Sequence, residues 1–313
     1  MKRLLIIKPS SMGDIIHGLL VAEAIRTQLP DVVIDWVVRR EFAPLVSLAS
    51  AVDHALIFER KGGLGSFMRL IGEIRETDYD AVLDMQGLAR SGLWTFCAKA
   101  SRKIGRSDAR EGAGFAYKEK TAALPSGQPV HAARILSGFL DVLGLDATLP
   151  HSIRFNAPQE SLTLPPCDGL KRVVIFPESR RAEKNWSGYE ALTRCLLDSE
   201  HRLQVLWCGH VPFEASRPLD SDRFFNLTSR TQIDQLPQLL NAADCVLSND
   251  SGPMHLAAAL ARPLVALFGP TDPALFGPFP ADTKRQRVIR RADGDMSSLS
   301  VSEVEQAVFQ VLV

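Results

Sequence analysis

Residues 245–272 decide the fold, and they read Cys245-Val-Leu-Ser-Asn-Asp250-Ser-Gly-Pro-Met-His255-Leu-Ala-Ala-Ala-Leu-Ala-Arg-Pro-Leu-Val-Ala-Leu-Phe-Gly269-Pro-Thr-Asp272. Short apolar runs at 245–248 and 264–268 flank an Ala- and Leu-rich run at 254–260. Apolar runs of this length between turn residues predict buried strands, and the middle run predicts a helix. The stretch therefore predicts a strand–helix–strand unit of a parallel α/β sheet.

The turn between the first strand and the helix is polar. Asp250, Ser251 and Gly252 form it, and Pro253 follows where a first helical turn tolerates a missing N–H. The free N–H groups and the dipole at such a helix start favour a bound phosphate. The turn is a candidate anion site, although a helix cap is an equally ordinary role for Asp250 or Ser251.

Bulk composition limits the classes of protein. A chain of 313 residues can form two cores, and 36 basic against 36 acidic residues gives no electrostatic case for binding nucleic acid. The five cysteines are scattered without a CxxC pair, which favours a reducing compartment and no zinc site. The start of the chain predicts a first strand and not a signal peptide, and no apolar run is long enough to span a membrane.

The first half of the chain repeats the strand–turn–helix pattern. Strand 4–7 is followed by the turn Lys8-Pro-Ser-Ser-Met-Gly-Asp14 and a helical pattern over 15–29. This turn is not GxGxxG, so it does not predict a dinucleotide site, and Asp14 could simply be a helix N-cap. Further strands are predicted at 33–38 and 81–83, and helical patterns at 40–48, 64–76, 88–99 and 131–143.

Two other segments of the first half carry polar candidates. The loop Asp84-Met-Gln86-Gly-Leu-Ala-Arg90-Ser follows strand 81–83 at the edge where open α/β sheets bind ligands, although ordinary loop hydrogen bonds would also explain it. Residues 99–120 hold seven basic and three acidic side chains. That run is either solvated surface or a loop that binds a substrate bearing carboxylates and phosphates.

The second half begins after a proline-rich linker at 147–169. Strands are predicted at 172–176 and 203–207, each followed by a polar loop, and further elements at 226–231, 232–241 and 301–313. We therefore expect two domains, 1–157 and 158–313. The motif Asp293-Gly-Asp295 resembles a metal-binding DxD but lies in a polar turn, and we expect no metal there.

The sequence resembles glycosyltransferase family 9, the lipopolysaccharide heptosyltransferases, over almost its full length. The resemblance is strongest at the Ser-Ser-Met-Gly-Asp motif of 10–14, at Asp-x-Gln-Gly-Leu-x-Arg-Ser of 84–91, and at 245–273, with Asn-Asp-Ser-Gly-Pro-Met-His-Leu and Phe-Gly-Pro-Thr-Asp-Pro. The second motif is typical of the type I enzymes, which attach the first heptose. The resemblance implies the GT-B architecture: α/β, with two Rossmann-like doubly wound domains facing a cleft.

The resemblance also implies roles for individual residues. Asp14 would be the catalytic base, and Lys184 would stabilise the leaving diphosphate. The implied donor contacts are Ser179, Lys184, Glu214, Asp250, Ser251, Gly252 and His255. The implied acceptor contacts are Ser10, Ser11, Arg60, Lys61, Gln86, Arg106 and Arg110. The family places a ribose-binding Glu four residues after Gly209, but Phe213 stands there and Glu214 follows, so the ribose contact stays open.

The implied reaction is inverting transfer of heptose from ADP-L-glycero-D-manno-heptose to a Kdo-bearing lipid A precursor, without a cofactor or metal. We expect a cytoplasmic monomer, peripheral to the inner face of the inner membrane, whose partners are a nucleotide-sugar donor and an anionic glycolipid. The alternatives are another GT-B enzyme with a different acceptor, an epimerase, or a non-catalytic sugar-nucleotide-binding protein. The absence of a dinucleotide fingerprint argues against an oxidoreductase.

Overall fold

The computed structural model describes residues 1–125, 127, 129–179, 181–219, 221–291 and 293–312. The chain divides into two compact units, Met1–Asn156 and Ala157–Val313. The sequence placed the division after residue 157. Within the described residues, every helix is too short or too polar to cross a bilayer.

The N-terminal domain is a parallel sheet covered by helices. Its strands are β1 (Arg3–Ile7), β2 (Val33–Arg39), β3 (His54–Phe58), β4 (Asp78–Asp84), β5 (Lys99–Gly105) and β6 (Glu119–Lys120). Its helices are α1 (Met12–Gln28), α2 (Ala43–Leu48), α3 (Gly63–Arg75), α4 (Ala89–Cys97) and α5 (Ala132–Leu143). The strand order is β3-β2-β1-β4-β5-β6, so the order reverses between β1 and β4. Open α/β sheets bind their ligands at such a reversal, outside the carboxyl ends of the strands.

The C-terminal domain repeats this plan. Its strands are β7 (Lys171–Phe176), β8 (Leu203–Trp207), β9 (Phe224–Asn226), β10 (Cys245–Asn249), β11 (Leu264–Phe268) and β12 (Gln286–Arg290). Its helices are α6 (Tyr189–Asp198), α7 (Leu236–Asn241), α8 (Gly252–Ala259), α9 (Pro273–Phe276) and α10 (Val301–Val311). The order β12-β11-β10-β7-β8-β9 reverses between β7 and β10. Both sheets are therefore Rossmann-like and doubly wound.

The central strands form the cores. All five residues of β10 and all five of β11 are buried, as are Leu4–Ile7 of β1. Strands buried on both faces are largely apolar, which is why these runs could be recognised in the sequence. In the register, Ile7 lies opposite Asp84 and Phe176 opposite Ser248, so the loops that follow these strands leave the sheet side by side.

Several expectations from the sequence differ from the structure in detail, and some strands were missed. Residues 99–120 are not one basic loop, because Lys99–Gly105 is strand β5 and Glu119–Lys120 is strand β6. Strands β3 and β12 were not predicted. The element expected at 226–231 corresponds to strand β9, which covers Phe224–Asn226, and the element expected at 232–241 starts with a 3₁₀ turn before α7. The closing helix ends at Val311, and Val313 lies outside the described residues.

Candidate functional site

Asp14 lies beside the strand-order reversal of the N-terminal domain, in the first turn of α1. Its Oδ1 is 3.3 Å from Nζ of Lys8, and its Oδ2 accepts hydrogen bonds from the Ser11 N–H at 3.1 Å and the Ser11 hydroxyl at 2.7 Å. The Lys8 side chain is 2% exposed and that of Asp14 is 43% exposed. The buried cation therefore holds a carboxylate that stays partly exposed to solvent.

Asp14 is not the N-cap that one interpretation of the sequence allowed. Helix α1 begins at Met12, Ser11 is the N-cap, and Asp14 is the third helical residue. Its bond from the Ser11 N–H is the backbone half of a capping box. Oδ2 makes the capping contact and Oδ1 contacts Lys8, while the side chain stays partly exposed, so neither contact excludes a chemical role for Asp14.

The surroundings of Asp14 keep it ionised. Burial acts to raise its pKa, but the charge of Lys8 and the two Ser11 donors outweigh burial and lower the pKa to about 2. Burial also lowers the pKa of Lys8, and the Asp14 carboxylate opposes that shift. An ionised carboxylate that is held in place and partly exposed can accept a proton from a substrate hydroxyl.

Asp84 is fully buried and organises the neighbouring loop. Its fully buried carboxylate accepts hydrogen bonds from the N–H groups of Gln86 and Gly87, both at 3.0 Å, and from the Tyr117 hydroxyl at 2.7 Å. Burial raises the pKa of Asp84 despite these donors. Tyr117 reaches Asp84 because position 105 is glycine, where a Cβ would lie 2.1 Å from the tyrosine ring.

Gln86 extends from this loop with an unused acceptor. Its side-chain Oε1 is buried and has no hydrogen-bond partner among the described residues. A buried acceptor without a donor is costly, and a ligand hydroxyl or a water would satisfy it. The position of Gln86 after β4 therefore fits its predicted contact with the substrate that accepts the sugar.

The basic residues that were predicted to contact the acceptor substrate follow strands β5 and β3. Arg106 follows β5 and makes a double ion pair with Asp108, at 2.8 and 2.6 Å, while Arg110 is exposed and its N–H donates to the Gly87 carbonyl at 2.8 Å. Arg60 and Lys61 follow β3, two strands from β1 on the other side, and both are exposed. Ser10, partly buried, adjoins Ser11 in the β1–α1 turn. All these residues follow strands at the same edge of one parallel sheet.

Lys184 and Asp250 meet at the strand-order reversal of the C-terminal domain. Lys184 Nζ lies 2.5 Å from Asp250 Oδ2, which also accepts the Thr271 hydroxyl at 2.6 Å. His255 Nε2 is 4.0 Å from Asp250 Oδ1. The Lys184 and Asp250 side chains are 13% and 7% exposed, so this pair is mostly buried. Lys184 is therefore not the solvated loop lysine that one interpretation of the sequence allowed.

The start of α8 is arranged differently from a capped helix. Ser251 is the N-cap, but its hydroxyl contacts the Ser248 hydroxyl at 3.0 Å and makes no side-chain bond to the first turn of the helix. Gly252 begins α8, and Pro253 follows it. The first turn thus keeps backbone donors available for an anion.

Ser179 and Glu214, which were also predicted to contact the sugar donor, lie outside the Lys184–Asp250 cluster of contacts. The Ser179 hydroxyl donates to the Arg181 carbonyl at 2.8 Å, and the Ser179 N–H donates to Asn185 Oδ1 at 2.7 Å, so this side chain holds its own loop. The Phe213 ring packs 4.9 Å from the Trp207 ring, which makes position 213 structural, and Glu214 beside it is exposed.

Among the described residues, no group of three or more His, Cys, Asp or Glu side chains is arranged to hold a metal ion. Asp295 caps a 3₁₀ turn by accepting the Ser297 N–H at 2.9 Å, and its N–H donates to Asp293 Oδ1 at 3.0 Å. The two carboxylates of the DxD-like motif thus serve a turn.

Sequence reasoning missed three partners of the candidate residues: Lys8, Tyr117 and Thr271. Lys8 gave a usable signal, since a lysine that ends a buried strand is rarely fully buried without a partner. Tyr117 and Thr271 gave none, because they contact Asp84 and Asp250 from 33 and 21 positions along the chain.

Two Rossmann-like domains with polar loops at each strand-order reversal define a protein of the GT-B architecture. The chain matches the family model described as glycosyltransferase family 9 (heptosyltransferase) over residues 67–307, and it belongs to that family.

Known proteins are similar to this one in sequence and structure over nearly the whole chain. Lipopolysaccharide heptosyltransferase 1 of Escherichia coli O18:K1:H7 is 30% identical over 319 residues, covering 97% of this chain and 96% of the relative. The solved structure of E. coli heptosyltransferase WaaC with ADP matches with a TM-score of 0.82 at 28% identity, covering 99% of both chains. E. coli ADP-heptose lps heptosyltransferase II shares the fold, with a TM-score of 0.77 at 24% identity over 100% of this chain and 98% of that one.

Proposed function

We propose that this heptosyltransferase moves heptose from ADP-L-glycero-D-manno-heptose to a Kdo-bearing lipid A precursor during synthesis of the lipopolysaccharide inner core. The observation that carries the proposal is the Asp14 carboxylate, which is fixed by Lys8 and Ser11 while its side chain stays 43% exposed. The similarity to lipopolysaccharide heptosyltransferase 1 and to WaaC with ADP supports the donor and the pathway.

Asp14 would act as the general base. The acceptor hydroxyl gives its proton to the Asp14 carboxylate while the hydroxyl oxygen forms a bond to the anomeric carbon of the heptose. The bond between that carbon and the diphosphate breaks on the opposite side. Such in-line displacement inverts the anomeric centre. With its pKa lowered to about 2, Asp14 is ionised at neutral pH and so has a free site for the proton, although the lowered pKa makes it a weaker base than an ordinary aspartate.

The donor diphosphate would bind at the start of α8. Backbone donors of the first turn and the helix dipole attract the phosphates, and the Lys184 ammonium neutralises the charge that develops on the leaving ADP. Because Lys184 is paired with Asp250, the diphosphate would share or replace that carboxylate as its partner. These groups supply the cationic stabilisation that a metal ion supplies elsewhere, so we propose a metal-independent reaction.

The acceptor would bind at the carboxyl edge of the N-terminal sheet. Its carboxylates and phosphates suit the cations Arg60, Lys61, Arg106 and Arg110, and its hydroxyls suit Ser10, Ser11 and Gln86. A glycolipid acceptor places the enzyme at the cytoplasmic face of the inner membrane, and we propose that it works there as a monomer.

The test is to incubate the protein with ADP-heptose and Kdo-lipid A, with and without excess EDTA, and to follow product by mass spectrometry. We expect one heptose to be added in both cases, and NMR of the product should show inverted configuration at the new linkage. A parallel incubation with lipid A lacking Kdo should give no product. Transfer only to an acceptor without Kdo would replace the proposed acceptor, and activity lost in EDTA but restored by Mg²⁺ would contradict metal independence.

A further inference from the structure

One side of the N-terminal domain exposes several large apolar side chains. They lie on α3, on α4 and on the 3₁₀ turn Ala113–Ala116, and each is 42–74% exposed: Leu64, Met68, Leu93, Phe96 and Phe115, here called the apolar face. In the described part of the C-terminal domain, the comparable residues lie apart: Val211 in the loop after β8, Phe276 on α9 and Val288 on β12. Grouped exposed apolar residues mark interaction surfaces, whereas single ones need no explanation.

The apolar face is one surface formed by neighbouring elements. Leu64 and Met68 are four residues apart on α3, and Leu93 and Phe96 are three apart on α4, so each pair shares one helix face. The two helices pack through Phe67 and Trp94, whose ring centroids are 5.6 Å apart. The Phe96 and Phe115 rings are 5.7 Å apart, which joins the 3₁₀ turn to α4.

Positive charge borders this face. Lys103 Nζ lies 5.6 Å from the Phe96 ring centroid and donates to the Phe96 carbonyl at 2.5 Å. Arg75 donates to the Cys97 carbonyl at 3.3 Å, and Lys118 donates to the Ser101 carbonyl at 3.4 Å. None of these three cations forms an ion pair with a described residue. Burial, followed by the charge of Lys118, lowers the pKa of Lys103, so the two ammonium groups are near each other.

We propose that the apolar face docks the enzyme on an anionic lipid bilayer, with its leucine, methionine and phenylalanine side chains inserted among the lipid headgroups. Apolar insertion combined with unpaired lysine and arginine at the border is the chemistry that binds such a surface. A second copy of the chain fits less well, because a symmetric contact would bring the same positive border against itself.

The position of the face suits an acceptor that is itself a membrane lipid, and in this respect the inference rests on the proposed function. Arg60 and Lys61 directly precede α3, and Gln86 precedes α4, so the predicted acceptor contacts lie at the ends of the helices that carry the face. A bilayer held against α3 and α4 would present lipid headgroups beside these residues.

Vesicle flotation tests the proposal with the whole protein. The wild type should float with vesicles of phosphatidylethanolamine and phosphatidylglycerol, and much less with vesicles of phosphatidylcholine alone. Met68→Ser/Phe96→Ser should weaken binding at least about tenfold. Val211→Ser/Val288→Ser, which changes two exposed apolar residues of the other domain, is the matched control and should bind as the wild type does.

The charge contribution is tested separately. Lys103→Gln/Lys118→Gln should weaken binding to the anionic vesicles by about fivefold per charge at low ionic strength. Lys284→Gln, an exposed lysine of the C-terminal domain, should have no effect. Equal binding by the lysine pair variant and this control would contradict the role of the positive border.

Other outcomes separate this proposal from its rivals. Wild-type protein that does not float, or a Met68→Ser/Phe96→Ser variant that floats equally well, would overturn the proposal. Self-association of the wild type that this variant abolishes in sedimentation would make the face a contact between copies. With a deacylated, water-soluble acceptor the variant should turn over at the wild-type rate, and with acceptor embedded in vesicles it should be slower. If the wild type floats but transfers heptose to neither acceptor, the proposed function fails while docking stands.

Discussion

At the scale of single residues, the two candidate sites differ in how far the carboxylate of their ion pair is buried. In the Lys8–Asp14 pair the cation is buried and the carboxylate is partly open, so the carboxylate is the group offered to a substrate. In the Lys184–Asp250 pair both side chains are mostly buried, so the carboxylate restrains the cation. One arrangement suits a base, and the other suits a positioned positive charge.

Replacing Lys8 should change the pH dependence of the reaction. Asp14 has a lowered pKa, so in the wild type it stays ionised until the pH approaches 2, and the rate should show no acid limb from Asp14 in the neutral range. Lys8→Met removes the nearest cation and leaves burial to raise the pKa, by roughly one to three units. The kcat/KM profile should then decline as the pH falls through the new value, which Lys8→Arg should largely prevent. A Lys8→Met profile that matches the wild type would show that Lys8 does not control Asp14.

Replacing Lys184 should affect both the donor and stability. Lys184→Met removes a charge-assisted contact to the diphosphate and should weaken ADP binding about 10- to 100-fold, measured by calorimetry. It also leaves the buried Asp250 without its cation, at a cost of roughly 3 kcal/mol in the free energy of unfolding. The double variant Lys184→Met/Asp250→Asn should regain most of the stability but not the ADP affinity. Recovery of both would mean that Lys184 acts only through Asp250.

At the scale of elements, apolar runs predicted the central strands and missed those toward the edges. Strands β1, β7, β10 and β11 are buried and apolar, so their sequences identify them. Strand β5 reads Lys-Ala-Ser-Arg-Lys-Ile-Gly, because it is partly exposed and pairs its charge across the sheet, as Arg102 does with Glu119 at 2.6 Å. Strand β12 is polar for the same reason of exposure. A strand that is stabilised mainly by its neighbours cannot be recognised from its own residues alone.

The loop between β7 and α6 depends on a close contact at Gly188. Trp186 is buried and donates to the Leu299 carbonyl at 3.0 Å, and a Cβ at position 188 would lie 2.1 Å from its ring. Gly188→Ala should therefore displace Trp186 and cost about 1–3 kcal/mol of stability.

The matched control is Gly72→Ala in α3, where a new Cβ meets nothing within 4 Å. It should stabilise the protein by about 0.5–1 kcal/mol through helix propensity. Chemical unfolding of both variants measures the difference. Equal stabilities would show that the Trp186 ring does not limit position 188.

At the scale of the whole molecule, two sheets of the same strand order each place a pair of candidate residues at the reversal of that order: Asp14 and Gln86 in one, and Lys184 and Asp250 in the other. The motifs predicted the edge of the sheet on which these residues lie, because residues that follow strands of a parallel sheet share one edge. The partners Lys8, Tyr117 and Thr271 were not predicted, since their contacts arise only when distant segments fold together. The sequence thus indicates where the candidate residues lie better than it indicates which groups surround them.

The turnover of Asp14→Asn tests the proposed reaction most directly. Asn keeps the side-chain oxygen that accepts the Ser11 hydrogen bonds but cannot take a proton. It also leaves the buried Lys8 without its counter-charge, so the melting temperature should fall, while the ADP affinity should stay near the wild-type value. General-base catalysis is typically worth about 10²–10⁴-fold, and we expect kcat with saturating ADP-heptose and Kdo-lipid A to fall by that factor. A variant that retains more than roughly a tenth of the wild-type turnover would contradict the assignment of Asp14 as the base.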